Sequence, residues 1–121
     1  MNLKNKIRLA SFGFKYGPPN ANYYFDVSFI KNPARDKRWG FFHNVDDEMK
    51  NFILEQDCAQ KFLENVEPLI TFLASVDQGQ VFAFGCNAGR HRSVTLVREL
   101  AKKLREKGVE VYVEHRDLER I

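Results

Sequence analysis

Several things are scarce in this chain. Only two cysteines occur in 121 residues, too few for a disulfide scaffold, and a reducing compartment, the cytoplasm, is the expectation. No apolar run approaches the roughly 20 residues of a membrane span, and the first residues, MNLKNKIRLASF, lack the sustained apolar core of an export signal. No G-x4-G-K-[ST] phosphate loop is present, so nucleotide hydrolysis by that motif is excluded. The three histidines, His43, His91 and His115, lack ligand-like spacing, so neither a metal nor a cofactor is expected. Repeats and low-complexity stretches are likewise missing.

What remains is the composition of one globular domain, residues 1–121, with 44% hydrophobic and 29% charged residues. The net charge of +3 conceals a segregation. Positions 46–77 carry eight acids against two bases, a net −6, while the remainder carries 17 bases against eight acids, a net +9. A positive face of this size favours phosphate-rich partners.

Patterning predicts an open α/β sheet, three-layer-like, with a parallel βαβ unit. KIRLASFGF (6–14) reads as a strand with an irregular end, and KYGPPNA (15–21) as a loop fixed by Pro18 and Pro19. YYFDVSFI (23–30) reads as a central strand interrupted by Asp26, followed by a basic loop over 31–44. Asp46 and Asp47 open a helix to about Leu54. A second helix, about 57–76, places Ala59, Phe62, Leu63, Val66, Leu69, Ile70 and Leu73 on one face, with Pro68 predicting a kink or break near Glu64. VFAF (81–84) lacks alternation, as a strand buried on both faces would. A helix over 91–107, stopped by Gly108, leads to a final strand, VEVYVEH (109–115).

The turn between that buried strand and its helix carries the chemistry. Gly85-Cys86-Asn87-Ala88-Gly89-Arg90-His91-Arg92-Ser93 sits where a helix start leaves N–H groups unpaired. Gly89 permits close backbone approach, the N–H groups from Asn87 onward form a concave anion nest, and Arg92 can fork onto two phosphate oxygens. The same residues fit C-x5-R-S, which resembles the phosphate loop of protein tyrosine and dual-specificity phosphatases. In that reading Cys86 is a thiolate nucleophile, Arg92 its phosphate clamp, and Asp57 or Asp46 a general acid. The position before the cysteine, usually histidine in those enzymes, is Gly85.

Four segments resemble a different family. Ser11-Phe-Gly-Phe-Lys-Tyr-Gly17, Phe25-Asp-Val-Ser-Phe-Ile-Lys-Asn-Pro33, Gly85-Cys-Asn-Ala-Gly-Arg-His-Arg-Ser-Val94 and His115-Arg-Asp-Leu118, in that order, resemble the C-terminal domain of the RapZ family of RNase adapter proteins. The resemblance implies a fold similar to a phosphofructokinase subdomain, with binding of RNA and of a phosphorylated amino sugar. It places Lys15 toward ligand or RNA, Asp26 and Asn32 at the pocket border, Cys86, Asn87, Gly89, His91 and Arg92 in its lining, and His115 and Arg116 on the basic side. Ala88, Arg90 and Ser93 complete the turn, and Lys31, Arg35, Lys37 and Arg38 supply further cations for RNA. Tyr16, Tyr23 and Trp39 are candidates for stacking on unpaired bases. The family's histidine after Asn-Pro is Ala34 here, and its Thr-Gly in the turn is Asn87-Ala88.

Three functions follow: a phosphosugar-sensing, RNA-binding regulatory domain; a cysteine phosphatase built on Cys86 and Arg92; and a metabolite sensor without RNA. The expected partners are a phosphorylated small molecule, RNA and a second copy of the chain, with no membrane.

Overall fold

The computed structural model describes residues 6–120, so positions 1–5 and 121 of the expected domain lie outside the described residues. The chain forms β1 (Lys6–Gly13), β2 (Tyr23–Asp26), α1 (Asp47–Leu54), α2 (Asp57–Val76), β3 (Gln80–Cys86), α3 (Arg92–Glu106) and β4 (Glu110–His115). Four strands make one open sheet in the order β2-β3-β1-β4, with every neighbouring pair parallel. The predicted strand–helix–strand unit is β3-α3-β4, with β1 seated between its two strands.

Side chains alternate across the strands. Ile7, Leu9, Phe82, Phe84 and Val111 meet α2 and α3 in the core, joined by Leu63, Ile70, Leu96 and Leu100. The other sheet face carries Ala10 and Ala83 at its centre, with the exposed Tyr24 and Tyr112 to either side. Because all four strands run the same way, Gly13, Asp26, Cys86 and His115 end at one edge of the sheet, where an open α/β fold gathers its polar loops.

Three sequence expectations need correction. The strand beginning at Tyr23 is an edge strand rather than a central one, and it stops at Asp26 instead of reaching Ile30. Its end is chemical: Asp26 Oδ1 accepts the Ser28 N–H at 2.9 Å, folding the chain into a turn. Pro68 does not break α2, which runs uninterrupted over Asp57–Val76. Glu64 and Pro68 both lie on the exposed face of the helix, so the carbonyl that the proline leaves without a donor is not shut away from solvent. Finally, the helical period puts Leu69 on the core face of α2, yet it is 46% exposed.

Candidate functional site

The turn after β3 is shaped by direct contact between two backbones. Gly89 has φ +73°, a left-handed conformation that favours glycine, and a Cβ there would come within 2.5 Å of the Gly13 nitrogen. Lys15 N–H donates to the Asn87 carbonyl at 3.1 Å, completing the seam between the turn and the end of β1. Among the described residues, none of the backbone N–H groups from Ala88 to Ser93 donates to an acceptor. Six consecutive donors therefore stand at the start of α3, where the helix dipole adds positive potential.

Arg92 lies beside them and is only 7% exposed. Its Nη1 donates to the Ser28 and Ile30 carbonyls at 3.1 and 3.0 Å. Its Nε and Nη2 find no acceptor among the described residues, which leaves a fixed, partly desolvated cation facing two adjoining cavities. The smaller, about 40 Å³, is lined by Asn32, Phe41, Cys86, Asn87, Ala88 and Arg92 among others. The larger is an open groove of about 700 Å³, lined by residues that include Phe29, Lys31, Asn32, Arg35, Phe52 and Arg92. The groove's single carboxylate, Asp36, is bound by Arg38.

The other turn residues have structural partners. Arg90 donates to the carbonyls of Phe41, Leu118 and Arg120, with its guanidinium over the Phe41 and Phe42 rings. His91 Nε2 donates to the His43 carbonyl at 2.7 Å. Burial, assisted by the Arg90 and Arg92 charges, holds the His91 pKa below its ordinary value of 6.5, so the ring is neutral near pH 7 with Nε2 carrying the proton. Cys86 Sγ belongs to the buried core cluster and donates to Ser93 Oγ at 3.3 Å. A Cβ on Gly85 would meet the Phe12 and Phe14 rings at 2.5 and 2.6 Å, so the histidine of the phosphatase pattern has no room there.

The structure therefore gathers Asn32, Cys86, Asn87, Ala88, Arg90, His91 and Arg92 around one cavity, and Lys31 and Arg35 into the adjoining groove. Gly89 and Ser93 shape the turn behind them. Asp26 stands one turn away, engaged with Ser28 and outside both cavity linings. Lys15 sits over the Tyr16 and Phe41 rings. Lys37 is exposed on the basic loop, whereas Arg38 is held by Asp36 and Glu48. Trp39 is buried beside Phe52 and cannot stack on a base.

Two features were missed in the sequence. The Ser28 and Ile30 carbonyls orient Arg92, and no side-chain pattern announces a carbonyl. Asp117, fully buried, accepts the Gly13 N–H at 2.7 Å and pairs with Arg116 and Arg120. Those bonds hold its carboxyl below the usual carboxylate range despite the opposing cost of burial. His115 Nδ1 lies 2.6 Å from Ser11 Oγ. Burial, reinforced by the Arg98 charge, lowers the His115 pKa.

Sheet and turn together define an open α/β domain whose polar groups converge on the carboxyl ends of its strands. Residues 5–119 match the model of the RapZ C-terminal domain, and the chain belongs to that family. It is 42% identical over 120 residues to a nucleotide-binding protein of Caldicellulosiruptor bescii, covering 94% of this chain and 41% of the relative. Against a nucleotide-binding protein of Corynebacterium jeikeium it is 40% identical over 121 residues, covering 95% of this chain and 42% of the relative. The chain thus spans less than half the length of these curated relatives. No helix of the described residues is long and apolar enough to cross a membrane.

Proposed function

We propose that this domain binds a phosphorylated small molecule at the turn over residues 85–93 and, through the basic loops around it, the backbone of RNA, acting as a phosphosugar-sensing regulatory domain. The reading rests above all on the six successive amides, Ala88 to Ser93, which lack an acceptor beside a nearly buried Arg92. A phosphate supplies several oxygens to such donors, each bond charge-assisted. The body of the ligand extends into the groove, where Asn32, Lys31 and the Asp36–Arg35 rim offer polar partners and Phe29 and Phe52 offer apolar ones. An amino-sugar phosphate suits that mixture. The relatives' name adds nucleotides to the ligands worth testing, because the phosphate chemistry is shared.

Calorimetry with an amino-sugar phosphate, a nucleotide, inorganic phosphate and the unphosphorylated sugar tests this. The phosphorylated compounds bind and the bare sugar does not, and Arg92→Ala weakens binding roughly tenfold to hundredfold. No binding by any phosphorylated compound up to about 10 mM overturns the reading. Structured RNA tests the second half: binding that steepens as salt falls supports it, and its absence leaves a metabolite sensor without RNA.

One contact favours a second reading, the cysteine phosphatase. Cys86 Sγ and Ser93 Oγ are paired beside Arg92, and on loss of the Cys86 proton the Ser93 hydroxyl can donate to the thiolate that attacks phosphorus. The proposed general acids are engaged elsewhere: Asp46 caps α1 and pairs with His43, and Asp57 pairs with Lys61. Turnover of an aryl phosphate that disappears in Cys86→Ser would establish this activity.

A further inference from the structure

A second cavity, of about 210 Å³, lies between the start of α1 and the middle of α3 and shares no residue with the phosphate turn. Thr95, Arg98, Glu99 and Lys102 fall at i, i+3, i+4 and i+7 of α3 and so share the helix face that lines it, opposite Asp47 and Lys50 of α1. Thr95 is only 3% exposed. Its Oγ1 is the one buried side-chain polar atom of the described residues that has no hydrogen-bond partner. A buried hydroxyl is costly to leave in that state, and a guest that bonds it removes the cost.

The charges around Thr95 are unpaired as well. Asp47, Lys50, Arg98, Glu99 and Lys102 enter no ion pair among the described residues, although oppositely charged neighbours pair elsewhere, Lys61 with Asp57 and Lys107 with Glu67. Three cations and two carboxylates thus line one small space. A plain anion would meet the two carboxylates there, and a plain cation the three bases. A guest carrying both signs finds a partner for each. Asp46, the remaining carboxylate of the lining, is already engaged by His43 and the Met49 N–H.

We infer that this cavity is a binding site for a small acidic zwitterion, an amino acid with two carboxylates and one ammonium. Its net charge of −1 offsets the +1 left by three free bases and two free carboxylates. The guest's carboxylates meet Arg98, Lys50 and Lys102, its ammonium meets Asp47 and Glu99, and the Thr95 hydroxyl donates to a carboxylate oxygen. The volume lies below the roughly 300–1,000 Å³ of sites for drug-sized ligands, which suits one amino acid better than a nucleotide. A neighbouring open groove shares Val45 and Arg98 with the cavity and gives the guest a way in.

Calorimetry on the full chain with L-glutamate, glutarate and 4-aminobutyrate tests this. Glutarate keeps both carboxylates without the ammonium, and 4-aminobutyrate keeps the ammonium with one carboxylate. L-glutamate binds, and both analogues bind roughly tenfold more weakly or worse. Arg98→Ala weakens glutamate binding roughly tenfold and Thr95→Val about threefold. Thr95→Val melts no lower than wild type, because the methyl group replaces a hydroxyl without a partner. Arg98 is exposed, so its loss leaves the fold intact, which circular dichroism checks. No glutamate binding up to about 10 mM overturns the inference. So does glutarate binding as tightly as glutamate, glutamate binding indifferent to either variant, or a lower melting temperature for Thr95→Val. Phosphate affinity, measured in the same Arg98→Ala chain, stays unchanged, so failure here is distinguishable from failure of the proposed function.

Discussion

The carboxyl ends of the parallel strands gather unpaired donors in two places, and the chain treats them differently. Beyond β1 and β4, the Gly13 N–H and the Arg116 and Arg120 guanidiniums converge on Asp117, which the chain provides and buries completely. Beyond β3, the amides of Ala88 to Ser93 and the free side of Arg92 converge where no carboxylate of the described residues reaches them. Donor geometry alone does not make a binding site. What separates the two clusters is whether the fold supplies its own anion, and at the second it supplies none among the described residues.

The comparison can be broken in order of expected effect. Asp117→Ala removes the internal anion and strands three donors, so unfolding by urea should show a loss of roughly 3 kcal/mol, with little change in phosphate affinity measured at a temperature where the variant is folded. Gly89→Ala forces a side chain into a left-handed residue and against the Gly13 backbone. It should cost about 1–3 kcal/mol of stability and distort the cradle, reducing phosphate affinity as well. Arg92→Ala separates the two clusters from the other side: phosphate affinity falls roughly tenfold to hundredfold, while stability falls less than in Asp117→Ala.

Smaller effects sharpen the picture. His91 and His115 both have folded-state pKa values below the ordinary 6.5, so the unfolded chain takes up protons first on acidification. Their contribution to stability is present above pH 6.5 and is lost as pH falls from there through the lowered values. Melting temperature followed from pH 8 to pH 5 should fall, and His91→Gln should flatten the slope. Smallest of all, Arg35→Ala should reduce RNA affinity about equally for different sequences and lower the salt slope by about 1, a change visible in fluorescence anisotropy.

Much of this arrangement was legible in the sequence. The run from Gln80 to His115 declares itself because the hydrophobic period switches from continuous to helical to alternating, with Gly85, Gly89 and Gly108 at the joints. The cluster of unpaired donors in the turn was legible for the same reason, since they are backbone groups at a helix start. The edge position of β2 was not, because YYFD reads as aromatic and buried whichever side of the sheet it occupies. Leu69 fits the helical period of the core face, and only the tertiary placement of α2 leaves it in water. Asp117 stood within the His115–Leu118 segment, but its partners, Gly13 and Arg120, come from opposite ends of the chain and no local pattern joins them. The placement of Arg92 beside the turn was visible, while the carbonyls that aim it were not.

The most direct measurement is a nitrogen–proton correlation spectrum of the domain titrated with inorganic phosphate and then with an amino-sugar phosphate. The amides of Ala88 to Ser93 and the Arg92 side chain should shift first and furthest, with the Gly13 amide unmoved because Asp117 already holds it. Saturating shifts confined to other residues, or a spectrum unchanged at about 10 mM ligand, would contradict it.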